Sequence, residues 1–352
     1  MAIEAAKWSD ALETLGFTTY TVAGGGPVDV TVPGLAIDAP DGPGAGEVSD
    51  AVAGADLVVV ENLCSLPLNQ RAWDVVAATL AGRPAILHHH DLPWQRPQFL
   101  GHAPPPDDRR WRHVTINQIS QRELAERGIE ATTIYNSFAM ESAAEAMDAV
   151  GGHRNPAVAR SRGGDEIRDA LGITRERRLV LQPTRALARK NVGAGMDAAA
   201  RLGATFWLLG PAEDGYGPEL ERLVADAPCP VVLGAPDMSA VSGVVGPGGR
   251  IRIDDAYQAC DVVALPSTWE GFGNPSLESV THRRPLIIGP YPVAEELASF
   301  GFDWFSLDDM DRLDQWLVSP DPALLDQNLA VARAHFALDD LPGRIAGILP
   351  EL

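Results

Sequence analysis

Three cysteines in 352 residues, Cys64, Cys229 and Cys260, are too few, too widely spaced and odd in number to form a disulfide framework, and they match no zinc pattern. They read as buried free thiols of a reducing compartment. Positive charge is also scarce: 28 Lys and Arg stand against 48 Asp and Glu, a formal net charge of -20. Such a chain lacks the basic face that nucleic acid or an anionic membrane requires of its main partner. The clusters Arg109, Arg110, Arg112 and Arg175, Arg177, Arg178 are short and read as solvated faces. No apolar run approaches the roughly 18 residues of a membrane span. The opening Met-Ala-Ile-Glu-Ala-Ala-Lys has no apolar signal core. The expectation is a cytoplasmic protein with no transmembrane segment and no nucleic-acid partner.

What the chain does have is length and alternation. With 45% hydrophobic and 22% charged residues it has an ordinary folded composition, and 352 residues suit two α/β domains facing a cleft. A helix from the start to Gly16 leads to strands at 18–22 and 28–37, with Gly24-Gly25-Gly26 as a turn between them. Buried strands are expected at 55–60 and 85–87, with a helix over 72–80 between them. Residues 140–164 are rich in Ala, Gly, Arg and Pro and lack apolar periodicity, as a linker would. Strands at 179–182, 205–209, 231–233, 261–265 and 286–288 then alternate with helices, the pattern of a doubly wound parallel sheet. The boundaries expected are 1–140 for the first domain, 141–174 for linker and entry helix, 175–335 for the second domain, and 336–352 for a last helix.

Residues 261–279 combine a buried strand, a glycine loop and a helix start. Pro266 ends the strand, Gly271 and Gly273 strip side chains from the loop, Asn274 can cap the helix, and Pro275 fits its first turn. Amides from Phe272 to Leu277, at the positive end of a helix, suit a phosphate or sugar hydroxyl. Glu270 and Glu278 bracket the loop, eight positions apart. Arg185 leaves a strand end and Lys190 follows near a helix start, so both can reach one diphosphate. Gly210 and Gly234 fall at other strand ends, where ligands of such sheets sit. The run His88-His89-His90 gives no metal site, because consecutive residues of an extended chain point to alternate sides. One useful histidine at a strand end is the simpler reading. Acidic pairs such as Asp107-Asp108 and Asp254-Asp255 read as caps and solvated charge, so no metal is assigned.

The stretch Pro-Ser-Thr-Trp-Glu-Gly-Phe-Gly followed by Glu278 resembles the E-x7-E signature of retaining GT-B glycosyltransferases of family four. The likeness covers most of the second domain and patches of the first. It implies two Rossmann-like domains, the last helix packing back on the first. By the resemblance Glu270 stands beside the donor sugar, and the loop Gly271, Phe272, Gly273, Asn274 and Pro275 meets sugar and diphosphate. Glu278 takes the ribose diol, Arg185 and Lys190 form the diphosphate pair, and Gly210 borders the nucleotide. His90, with His89 as the fallback, contacts the donor sugar near its sixth carbon. Asp237 stands where mannosyltransferases carry an acid near guanine, which favours GDP-mannose. The implied reaction is metal-independent transfer of a hexose from a nucleotide sugar to a sugar or oligosaccharide hydroxyl, with no further cofactor. Two readings stay open beside it: a UDP-glucose-dependent glucosyltransferase, and a GT-B subunit that binds nucleotide sugar without transferring it. A homo-oligomer is also left open. The sequence departs from the pattern at its start, where no strand and glycine-rich loop precede the first helix, and at Ser137 and Ala139, where the family places Gly and Asp.

Overall fold

Short apolar runs covered on both faces become parallel strands here, and the chain folds into two compact units. The structure is a computed structural model that describes residues 2–140, 162–235 and 252–350. One unit takes Met1–Ser137 together with Leu338–Leu352, the other Phe138–Ala337.

In the first unit, helix Ala2–Thr14 closes at Gly16, whose φ of 94° suits glycine alone. Strands β1 (Val22–Ala23) and β2 (Val30–Thr31) form a two-residue parallel pair. The longer strands expected here do not form: Pro33 supplies no amide and begins a 3-10 turn, Pro33–Leu35, and the flanking residues are largely exposed. The main sheet runs β3 (Val58–Glu61), β4 (Ala85–His89), β5 (Trp111–Thr115) and β6 (Ala131–Thr133), all parallel. β4 extends two residues past its expected end because His88 and His89 are buried with side-chain partners in place of water. Helices Ala45–Val52 and Gln70–Leu80 bring Val48, Val52, Val76 and Leu80 to one apolar cluster with Leu87 and Trp111. In a second cluster Trp8, Ala11 and Leu12 meet Ile86, Val114 and Ile134, joined by Leu341 and Ile345 of the last helix, Leu341–Ala346.

The second unit holds β7 (Leu179–Gln182), β8 (Thr205–Leu208), β9 (Val231–Leu233), β10 (Val262–Leu265), β11 (Leu286–Ile288) and β12 (Phe305–Ser306). They are parallel, in the order β12-β11-β10-β7-β8-β9. The chain therefore winds outward from β7 to β9, then returns to β10 on the other flank of β7. Loops leaving the carboxyl ends of β7 and β10 diverge there, and a sheet of this kind opens a ligand crevice at that switch point. β12 was not expected, since two residues show no period. The linker read at 141–174 lies outside the described residues as far as 161; helix Arg162–Ala170 follows.

That helix is fastened through a buried guanidinium. Arg168, 1% exposed, donates to the carbonyls of Ala259 (2.9 Å), Thr174 (3.0 Å) and Arg177, and to Asp261 Oδ2 at 3.3 Å. Asp261 also accepts from the Leu179 amide at 2.8 Å, so β7, β10 and the helix share one ionic knot. Removing one partner strands the other in a dry interior. Arg168→Ala should therefore cost about 3–5 kcal/mol in a denaturant melt, with a lowered midpoint; a change below about 1 kcal/mol would show the knot to be incidental.

Candidate active site

The loop after β7 delivers Lys190 to the switch point. Gln182, the last residue of β7, donates through Nε2 to the Lys190 carbonyl at 3.0 Å. A 3-10 turn, Ala188–Lys190, and Asn191 at φ 50° then redirect the chain into helix Val192–Arg201. The loop after β10 brings Glu270 to the same place. Lys190 Nζ lies 2.5 Å from Glu270 Oε1, which also accepts from Ser267 Oγ at 2.6 Å. Glu270 Oε2 accepts from Arg189 at 3.1 Å, and the same guanidinium nitrogen reaches the Trp269 carbonyl, also at 3.1 Å. The Thr268 amide closes the stitch on the Arg189 carbonyl at 2.9 Å. Lys190 and Glu270 are both buried. Burial lowers the Lys190 ammonium from its ordinary value, and the charge of Glu270 opposes that shift. Two cations and one carboxylate leave this knot net positive, as an anion site requires.

Glycine shapes the start of the following helix, Asn274–Thr281. Its cap is Gly273, at φ 91°, and Asn274 is already its first residue, a correction to the capping role expected of Asn274. A Cβ on Gly273 would stand 2.3 Å from Tyr291 Oη. Pro275 is the second helical residue, as a first-turn proline should be. Phe272 turns inward, 3% exposed, with its ring stacked at 6.2 Å on Phe138 and edge-on to Phe336. Its side chain is therefore core, and any ligand contact falls to its backbone and to Gly271. Glu278 sits beyond the first turn, and its Oε2 accepts from Tyr257 Oη at 2.5 Å.

Arg185 does not join the Lys190 knot. It pairs with Glu213 at 2.5 Å, both side chains exposed. Gly210, after β8, serves that loop: a Cβ there would meet the Arg185 backbone nitrogen at 2.7 Å, and its amide donates to the Thr184 carbonyl at 3.1 Å. Gly234 follows β9 and accepts from Trp207 Nε1 at 2.7 Å. Asp237 lies outside the described residues.

In the first unit, His90 follows β4, with its Nε2 2.8 Å from Glu61 Oε2. His88 Nδ1 lies 3.1 Å from both oxygens of the same carboxylate. His89 points away, buried between Ser65 Oγ (2.6 Å) and His113 Nδ1 (2.9 Å). Burial first, then His113, holds it well below the usual imidazole range, so it is a neutral core residue and not the fallback ligand. Alternation thus separates His89 from its neighbours, but it puts His88 and His90 on one side, where Glu61 arrives from β3. These three are a grouping among the described residues that could hold a metal ion. Glu61 was not among the expected site residues, although β3 and β4 pair in register with Glu61 opposite His88. Burial alone would raise the Glu61 carboxyl, but His88 and then His90 outweigh it and hold it at about 2.

No protein-family profile matches the chain. It is 24% identical over 341 residues to mannosylglucosylglycerate synthase of Thermotoga maritima, across 84% of this chain and 76% of that protein. A protein of the same name from Petrotoga mobilis is 25% identical over 291 residues, 72% of this chain; the chain spans 64% of that relative's length. Among solved structures, HepE of Anabaena in complex with UDP-glucose superposes with a TM-score of 0.62 at 19% identity, across 87% of this chain and 81% of that one. The superposition shows the fold, which is GT-B.

Two outcomes follow from the geometry. Gly273→Ala forces an alanine into the left-handed region and against Tyr291; calorimetric titration should show nucleotide affinity lost and melting should show a cost of about 1–3 kcal/mol. Unchanged affinity would mean that the loop's backbone is not a ligand. For Glu61, the folded value of about 2 lies below the ordinary 4.5, so its stabilisation is present above pH 4.5 and is lost as pH falls toward 2. Glu61→Gln should remove that acid-side slope, worth about 3 kcal/mol, from stability measured between those limits; an identical slope in the variant would place the titration elsewhere.

Proposed function

We infer that this GT-B glycosyltransferase moves a hexose, with retention at the anomeric carbon, from a nucleoside diphosphate sugar to a hydroxyl of a sugar-bearing acceptor. The observation that carries the reading is the Lys190–Glu270 knot at the switch point, beside a helix that opens on Gly273. In glycosyl transfer the barrier lies in the departure of the diphosphate, on which negative charge grows as the glycosidic bond stretches. An ammonium already fixed in a water-poor pocket stabilises that charge without reorganising. Lys190 has three N–H donors, and Glu270 takes one of them, which aims the rest. Glu270 accordingly acts first as the tether of Lys190, and a contact from its carboxylate to a sugar hydroxyl adds to that role. Arg185 supplies a further cation once it leaves Glu213, an exposed pair whose strength in solvent is small. Glu278 takes the ribose diol.

Mannose from GDP-mannose is the donor we propose, supported by the mannosyl product in the name of the Thermotoga maritima relative. That name also supports an acceptor that carries a sugar on a small acid. The second reading, a UDP-glucose donor, is favoured by the HepE complex. A panel of GDP-mannose, GDP-glucose, UDP-glucose and UDP-mannose with glucosylglycerate as acceptor separates them by turnover. GDP-mannose should give the highest kcat/KM, and Lys190→Ala should lower kcat by roughly 100-fold or more with a smaller change in KM, as expected for a group that acts in the transition state. Turnover with UDP-glucose alone would reverse the donor assignment. Nucleotide binding without any transfer would leave the binding-subunit reading.

A further inference from the structure

We propose that Tyr257 is the positioning residue for nucleoside recognition, its hydroxyl holding the Glu278 carboxylate in the one orientation that accepts a ribose diol. The inference rests on the reading of Glu278 as the ribose ligand and adds a residue that no part of the glycine-loop pattern contains. Tyr257 belongs to helix Ile253–Ala259, which leads into β10, whereas Glu278 lies on the helix after the loop. The two meet because β10 and the loop double the chain back on itself. Tyr257 is fully buried, and its Oη donates to Glu278 Oε2 at 2.5 Å. Its ring is stacked on His282 with centroids 4.7 Å apart and planes 16° from parallel. His282 in turn donates from Nδ1 to the Glu278 backbone carbonyl at 2.7 Å. One aromatic stack thus anchors Glu278 at both its side chain and its main chain.

The chemistry gives the arrangement its meaning. A ribose diol presents two hydroxyl donors, and a carboxylate receives both only when its plane faces them. An untethered glutamate would have to surrender its rotamer freedom on binding, and the phenol removes that cost in advance. Burial first, and then the charge of Glu278, hold the phenol well above its ordinary value, so it remains a donor at any working pH. Nothing else about the donor is read through this contact: base, diphosphate and sugar contacts do not pass through Tyr257.

The decisive experiment compares GDP and UDP with their 2′-deoxy forms by calorimetric titration, using the full chain as wild type, Tyr257→Phe, Glu278→Asp and Glu278→Gln. Wild type should prefer the ribonucleotide, and Tyr257→Phe should weaken that form roughly tenfold while leaving the deoxy form nearly unchanged, so that the preference collapses. A role in packing alone would weaken both forms by the same factor, and that result would overturn the proposal, as would an unchanged preference. Should Tyr257→Phe fail to fold, Tyr257→Met, which keeps apolar bulk and lacks the hydroxyl, takes its place with the same two outcomes; a preference that survives in Glu278→Asp, which withdraws the carboxylate from the phenol, also overturns the proposal. If Glu278→Gln leaves the preference intact, or wild type binds neither nucleotide, the ribose reading itself has failed and the positioning role falls with it.

Discussion

The buried ion pair between Lys190 and Glu270 is the constraint around which the second unit is arranged. Burying either charge alone would be prohibitive, and even the pair is stable only when its remaining donors and acceptors are met. Ser267 and Arg189 complete the carboxylate, while Gln182 holds the Lys190 carbonyl from the end of β7. These residues come from two loops that leave the sheet on opposite flanks of its switch point. Satisfying the pair therefore fixes both loops at once, and the cationic side of the site cannot shift without the glycine side.

Close backbone approach is the second means by which this geometry is held. At the carboxyl end of β11, a Cβ on Gly289 would lie 2.4 Å from the Ser267 carbonyl, just as one on Gly210 would strike the Arg185 backbone and one on Gly273 the Tyr291 hydroxyl. Each glycine lets one loop lie directly on its neighbour. Bulk at any of them would spread the strand ends, and the polar groups that converge there would lose alignment before the sheet itself was disturbed.

How legible all this was depended on burial. β7 and β11 lie inside the sheet of the second unit and write themselves as short apolar runs, so they appear at the residues expected; β9 does so too, although it is an edge strand whose Leu233 is exposed. β12 has two residues and leaves no such trace, while the runs read as strands at 18–22 and 28–37 yield only the two-residue β1 and β2. The glycine loop and its two glutamates could be read because their spacing is local. Partners could not. That Arg185 turns to Glu213, that Tyr257 meets Glu278, and that Glu61 sits between His88 and His90 are consequences of register and of chain reversal across many residues. The alternation rule set His89 apart from His90; only the in-register pairing of β3 with β4 supplies the carboxylate that the other two histidines share.

A chain of net charge -20 is at odds, at long range, with the doubly anionic diphosphate of its proposed function. The conflict is resolved by distance. Exposed carboxylates are screened beyond about 8–10 Å at physiological ionic strength, whereas a buried cation is screened far less. Arg189 and Lys190 share one carboxylate, so an unbalanced positive charge persists beside the buried Lys190 and Glu270 side chains, next to the start of a helix. Long-range attraction is thereby given up, and recognition rests on contacts made only after the ligand has entered. Under the proposed function, an acidic surface and a buried cationic knot that meets a diphosphate are compatible because the two act at different ranges.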